Sequence, residues 1–260
     1  MSRYDVNPRS PSCALCPVRD CLICSSSAKS SIPHFGMLRA QRCYAAGDVV
    51  VLAGQPLEFV ATVTSGIASF SRTVGGDRRQ IVNLAFPSHF IGWPGRAVSP
   101  VDITAVTELT VCIFNRAALE ARLEKITPLR QRLMEMRLND LDEARDWLIV
   151  LSRSGALEKV AGLLVVIARQ LSTDPLDPDG EVNFELPLSR SDMADCLGLN
   201  PETVSRQVSV LRRRKIIEVD NKWTIRVRAL SRLLEAAGPS HENLMVHGSG
   251  AEPRFGEASG

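Results

Sequence analysis

The chain has 260 residues, 45% of them hydrophobic and 23% charged, with a formal net charge of +2. That length and apolar content can bury one or two ordinary cores, which excludes a disordered chain and fits a sensor module joined to a smaller output module. No apolar run approaches the ~20 residues needed to span a bilayer, and the N-terminus, rich in Ser, Pro and Cys, lacks the apolar core of a secretion signal, so the expected location is the cytoplasm, with no membrane partner.

Residues 1–36 are polar and interrupted by Pro8, Pro11, Pro17 and Pro33, and they read as an extended segment that something else must order. Within it lie Cys13, Cys16, Cys21 and Cys24; with Cys43, Cys112 and Cys196 the chain holds seven cysteines. An odd total with four thiols crowded into twelve residues suits a metal or cluster site in a reducing compartment better than a disulfide framework.

From Arg39 to about Phe114 the pattern changes to short β-branched runs, Val49–Leu52, Val60–Val63, Ile67–Ser71, Gln80–Leu84 and Thr110–Phe114, separated by glycine turns at Gly47-Asp48, Gly54, Gly66 and Gly75-Gly76. Evenly spaced strands and turns over residues 37–122 predict a small β-barrel or roll. Cys43, alone in a strand-like context there, reads as buried and inert.

After Asn115 the sequence turns helical for about forty residues. Apolar residues at Leu133, Met136, Leu141, Ala144, Leu148 and Leu151, mostly three or four apart between charged neighbours, predict a dimerisation helix over 123–153 that forms a seam between two subunits. The alternative is a helix lying on the roll. A further helix is expected from about Ala156 to Leu171, ended by the Pro- and Asp-rich stretch 174–180. A strand at Val182–Leu186, two short helices, and a strand pair near Ile217–Val219 and Trp223–Val227 joined through Asp220-Asn221 complete a winged helix-turn-helix domain over 154–237. Residues 238–260, rich in Gly, Ser, Glu and Pro, read as a disordered tail. The fold class is therefore α+β.

The densest local signal runs from Leu188 to Leu211. Ser189 or Ser191 can cap the first helix, Gly198 permits a left-handed end, and Asn200-Pro201 starts the second helix. Met193, Leu197, Leu199, Val204, Val208 and Leu211 would pack the two helices together, leaving Glu202, Ser205, Arg206 and Ser209 on the open face. Arg206 suits a bidentate bond to guanine, Glu202 can accept from a cytosine amino group, and Ser205 can meet a base or a phosphate. Residues 201–230 hold eight Arg or Lys against three acids, and Arg212, Arg213, Arg214 and Lys215 would add sequence-independent attraction to the phosphates of double-stranded DNA.

The stretch from Asp192 through Gly198-Leu199 to Glu202-Thr203-Val204-Ser205-Arg206 resembles the recognition motif of the CRP/FNR superfamily of bacterial transcription regulators. The resemblance extends to the Gly47-Asp48, Gly54 and Ser65-Gly66 turns, to Asp146-Trp147-Leu148 and to Glu158-Lys159-Val160-Ala161, and so covers most of the chain. It implies a roll of the cyclic-nucleotide-binding type, a homodimer, RNA polymerase as protein partner, no enzymatic activity, and an inverted repeat with TTGAT-like half-sites as target. Cys196 stands where the FNR branch more often has Tyr and reads as a packing residue.

Cyclic nucleotide sensing is not expected. Where the cyclic-nucleotide-responsive branch has a Gly-Glu-Leu stretch and an Arg-Ser or Arg-Thr pair, this chain reads Phe90-Ile91-Gly92-Trp93-Pro94-Gly95-Arg96. The resemblance to FNR-type oxygen regulators instead implies a 4Fe-4S cluster held by three N-terminal thiolates and one from the roll. Cys112, following the Ala105-Val106-Thr107 strand, matches the roll ligand; Cys13, Cys16 and Cys24 match the others, with Cys21 as the alternative to Cys24. The four N-terminal thiols could instead form a zinc knuckle. Nitric oxide or thiol redox sensing on the same output domain is a rival reading, and an iron-sulfur electron carrier is a rival of another class. His34 and His89 read as surface or packing residues rather than ligands.

Overall fold

The computed structural model describes residues 39–76, 78–172, 177–221 and 223–238. The expectations for residues 1–36 and for the tail beyond Gly238, and with them the placement of Cys13, Cys16, Cys21, Cys24 and His34, lie outside the described residues.

Eight strands build the roll: β1 (Arg39–Tyr44), β2 (Val49–Val51), β3 (Phe59–Ser65), β4 (Ala68–Val74), β5 (Arg78–Ala85), β6 (Phe90–Ile91), β7 (Asp102–Ala105) and β8 (Leu109–Asn115). They pair antiparallel in two four-stranded sheets of order β1-β8-β3-β6 and β2-β7-β4-β5. The strand expected at Ala105-Val106-Thr107 lies earlier, at β7. Val106 and Thr107 are instead in the bend after it, both amides donating to the Ile67 carbonyl. Alternation along β8 sorts its side chains: Val111 and Ile113 fill the roll with Ala61, Val63, Phe70, Ile91 and Ile103, while Cys112 and Phe114 pack outward with Val60, Phe90, Leu119, Leu129 and Met136. Gly66 closes the β3–β4 turn at φ +78°, where an added Cβ would fall 2.0 Å from the Glu108 carbonyl oxygen. Only glycine fits there.

The expected run of helix beyond Asn115 is divided. Helix α1 (Arg116–Lys125) is capped by the Asn115 side chain, which accepts from the Ala118 amide, and α2 (Thr127–Ser152) begins anew after Ile126 leaves helical geometry. Pro128 is the reason: inside a continuous helix it would lack an N–H and clash with the carbonyl of Glu124, whereas the first turn of α2 accepts it. Helix α3 (Ala156–Leu171) has the expected limits.

Two of the six residues assigned to the subunit seam face elsewhere. Met136 is buried and Leu133 partly buried against the outer face of the roll. Leu141, Ala144 and Leu148 are exposed and Leu151 is half-buried. Met134, Leu138, Leu141 and Leu148 make an exposed stripe with steps of four, three and seven residues, the repeat of a coiled-coil seam with Arg145 at the intervening position. The sequence pattern ran two apolar faces together, one for the roll and one for solvent.

The C-terminal unit contains β9 (Val182–Glu185), α4 (Arg190–Leu197), α5 (Pro201–Arg213), β10 (Ile217–Asp220), β11 (Thr224–Val227) and α6 (Leu230–Ala236), with a sheet of order β10-β11-β9. Its core surrounds α3 and is continuous with the roll, because Ile67, Ile81, Leu84 and Phe86 share one buried cluster with Trp147, Val160, Leu164 and Met193. A polar layer ties the same parts together. His89 lies 3.4 Å from Glu143 on α2, Gln170 on α3 donates to Glu143, and Arg137 pairs with Asp140 while donating to the Gly92 carbonyl. Burial pushes the Glu143 and Asp140 carboxyls above their ordinary values, and the facing His89 opposes this in both.

Candidate nucleic-acid interface and sensor site

Helix α4 starts with a capping box: the Ser189 hydroxyl accepts from the Asp192 amide, and the Asp192 carboxylate accepts from the Ser189 amide. Of the two candidate caps, Ser189 is the one used. Gly198 ends the helix in the left-handed region, at φ 65° and ψ 33°, and its turn delivers the chain to Asn200 and to Pro201 at the first position of α5. Asn200 supplies the extended backbone of a cap, but its side chain makes no capping bond.

Val204, Val208 and Leu211 bury one face of α5 against Met193 and Leu197 of α4, and Leu199 packs on the edge of that cluster. The opposite face is open. Glu202, Ser205, Arg206 and Ser209 are all exposed, at steps of three, one and three residues, which sets them on one side of the helix. The Ser209 hydroxyl donates to the Ser205 carbonyl, so its oxygen is still able to accept. Arg212 and Arg213 in the last turn of α5, with Arg214 and Lys215 just after it, extend the exposed basic surface.

Two arginines that the sequence pattern did not single out belong to this surface. Arg232 of α6 donates from both Nη atoms to the carbonyls of Arg214 and Lys215, satisfying the end of α5 with a cation where the helix dipole favours one. Arg190, at the first position of α4, has its pKa lowered by burial and then by the neighbouring Arg212. Neither arginine could be found from spacing alone, because each is brought to α5 by tertiary packing.

The inner face of the roll is packed by its own apolar side chains, with Trp93 at the edge of that cluster. Trp93 meets Phe70 edge to face at 6.0 Å, and Arg96 is exposed. The Gly95 amide, which a phosphate cradle would need, donates instead to the Glu120 carboxylate at 2.8 Å, and Arg116 holds that carboxylate at 3.0 Å.

Cys112 occupies a different position, on the outer face of β8, in the apolar junction formed with α1 and the first turns of α2. Strand β1 lies directly beside it, with Gln41 opposite Cys112, so the first residues of β1 flank this thiol. Among the described residues no three His, Cys, Asp or Glu side chains converge as a metal site. Cys196 is buried in the helix-turn-helix core as a packing residue, and burial pushes its thiol far above the ordinary range. Cys43 corrects the expectation of burial. Strand β1 is an edge strand whose Tyr44 points inward, and Cys43 faces solvent near the Thr110 hydroxyl. His89 packs edge to face against Phe86 and lies 3.4 Å from Glu143.

Residues 158–236 match the Crp-like helix-turn-helix domain family and residues 41–125 match the cyclic nucleotide-binding domain family. The chain is 42% identical over 227 residues to the transcriptional activator protein FnrL of Cereibacter sphaeroides, an alignment covering 87% of this chain and 92% of that protein. It is 30% identical over 214 residues to the nitrogen fixation regulation protein FixK of Bradyrhizobium diazoefficiens, covering 82% and 89%. The structure of FixK2 from Bradyrhizobium japonicum superposes with a TM-score of 0.69 at 26% identity, covering 77% of this chain and 98% of that one.

Proposed function

Because the chain belongs to the CRP/FNR family of transcription regulators, we propose that it senses oxygen through a 4Fe-4S cluster and, as a homodimer under low oxygen, activates transcription from TTGAT-like inverted repeats by recruiting RNA polymerase. The position of Cys112 carries this reading. Its thiol lies in an apolar junction between a roll strand and the helix that bears the exposed Met134, Leu138, Leu141 and Leu148 stripe. Sixteen residues lie between Cys24 and Gln41, which pairs beside Cys112. Such a length can reach roughly 50 Å when extended, more than enough for Cys13, Cys16 and Cys24 to converge on Cys112, with Cys21 as a substitute for Cys24.

A bound cluster supplies iron coordinated by thiolates and lost on reaction with oxygen. The residues of the chain provide the response. Cys112 would tie the N-terminal segment to the outer face of β8, beside Leu129, Leu133 and Met136, and so fix where α2 leaves the roll. Two copies of α2 so fixed can bury their Leu138 and Leu141 stripes against each other. Their Arg206-bearing helices then face successive major grooves, with Arg206 and Glu202 reading bases and Arg190, Arg212 and Arg213 holding phosphates. A difference of a few kcal/mol between ordered and loosened junctions is enough to shift the dimer population.

The test is iron and acid-labile sulfide per subunit in protein purified without oxygen, for the wild type and Cys112→Ser. About four of each in the wild type, lost in air and absent from Cys112→Ser, is the expected result. Zinc without sulfide, or no metal, overturns the cluster and leaves the DNA-binding regulator intact.

A further inference from the structure

Strand β5 reaches beyond the roll to grip the first helix of the helix-turn-helix. Arg79 divides its guanidinium between the two units: Nη2 donates to the Ser69 hydroxyl at 3.0 Å on the neighbouring roll strand, and Nη1 donates to Asp192 Oδ1 at 3.1 Å and lies 3.6 Å from Asp195 Oδ2. The next residue continues the contact, Gln80 Nε2 donating to the Cys196 carbonyl at 3.1 Å. Helix α4 is thus held by its first turn, its middle and its last turn along one strand, with Ile81 and Leu84 packing behind.

Asp192 is already rigid, because the same carboxylate closes the capping box with Ser189. Helix α4 passes its orientation to α5 through Met193, Leu197, Val204 and Val208, and through the Leu199 amide bonded to the Ala194 carbonyl. The bearing of Arg206 therefore follows from the bearing of α4, and that of α4 from β5. The Arg79, Asp192 and Asp195 side chains are 40%, 22% and 24% exposed, and an ion pair so open to water adds little to stability. A planar guanidinium anchored at one end still defines an angle well.

We infer that Arg79 is a positioning residue for DNA recognition: by holding Asp192 and Asp195 it sets the angle at which each subunit presents α5, and so the half-site spacing the dimer accepts. The inference rests on the DNA-binding reading and is independent of which signal the roll senses.

The experiment uses full-length protein purified without oxygen and the inverted repeat that the wild type selects from randomised duplex DNA, together with duplexes having one base pair inserted or deleted between the half-sites. The variants are Arg79→Glu, Asp195→Arg and the double exchange, with Arg79→Gln as a milder form should either reversal fail to fold; Asp192 is left alone because it caps α4. Each single variant is expected to bind the selected repeat about ten-fold more weakly and to lose its preference for the selected spacing over the altered ones. Affinity for a single half-site should stay within about two-fold of the wild type, and the double exchange should recover both affinity and spacing preference. Loss of half-site affinity in parallel with the repeat, a double exchange no better than its parents, or single variants that bind more tightly would each overturn the positioning role. Failure of the wild type to select any duplex would overturn the DNA-binding reading itself, a separate result.

Discussion

Asp146 on α2 and Arg169 on α3 pair at 2.8 Å with side chains only 3% and 6% exposed, which makes theirs the most deeply buried of the ion pairs between described residues. The pair sits where the long helix meets the C-terminal unit. Breaking one partner leaves a charge without water, at a cost of about 3–5 kcal/mol. Arg169→Met is expected to lower the denaturation midpoint sharply, and adding Asp146→Leu should restore most of it. Urea titration followed by far-UV circular dichroism checks this; a double variant as unstable as the single would show that the pair does more than neutralise itself.

The two kinds of arginine on α5 should fail differently. Arg206→Ala is expected to cost about 1–3 kcal/mol on the preferred sequence and to flatten discrimination at one base position. Arg213→Ala should weaken all sequences alike and reduce the slope of log affinity against log salt by about one. Fluorescence anisotropy on matched and single-mismatch duplexes at several salt concentrations separates them.

The apolar stripe of α2 gives a third contrast. Leu141→Glu adds a charge to an exposed seam residue and should yield a stable monomer by sedimentation velocity, still able to bind a half-site. Met136→Ala empties a buried site against Phe90 and Phe114 and should instead cost about 2–5 kcal/mol of stability. If the two variants behave alike, the division of α2 into a roll face and a seam face is wrong.

Thiol chemistry distinguishes the described cysteines. With Cys13, Cys16, Cys21 and Cys24 replaced by Ser, a maleimide at pH 8 should label Cys43 readily and leave Cys196 untouched until the chain unfolds. Cys43 is exposed, whereas burial raises the Cys196 thiol so far that almost no thiolate exists at that pH. Peptide mass mapping with and without denaturant reads the difference; rapid native labelling of Cys196 would show that the helix-turn-helix core opens easily.

The helix-turn-helix was legible because local chemistry dictates it. A capping serine, a left-handed glycine and a proline at the first helical position fix Ser189, Gly198 and Pro201 with little help from the rest of the fold. The roll was legible in outline, since β-branched runs between glycines suffice for strands. The edge strand β1 and the outward turn of Cys43 were not, because which side of an isolated strand faces the core depends on the sheet it joins. The sequence pattern assigns Leu133 and Met136 to the seam for a related reason: a helix that serves two partners carries two overlapping apolar patterns, and spacing alone cannot say that Met136 meets the roll while Leu138 meets solvent. Arg79, Arg190 and Arg232 lie far in sequence from the residues they serve and carry no local signature at all.

Ile67, Ile81, Leu84 and Phe86 belong to the roll by strand and turn and to the reader by burial. A modular plan would let evolution, or an engineer, join any roll to any helix-turn-helix by cutting in the linker. Here a cut at Arg153 would strip the outer face of β5 from the surface of α4 and expose both to water. A working chimera must carry β5 and α4 as a matched pair, and inheritance should preserve the two as one unit even where the signal being sensed has changed.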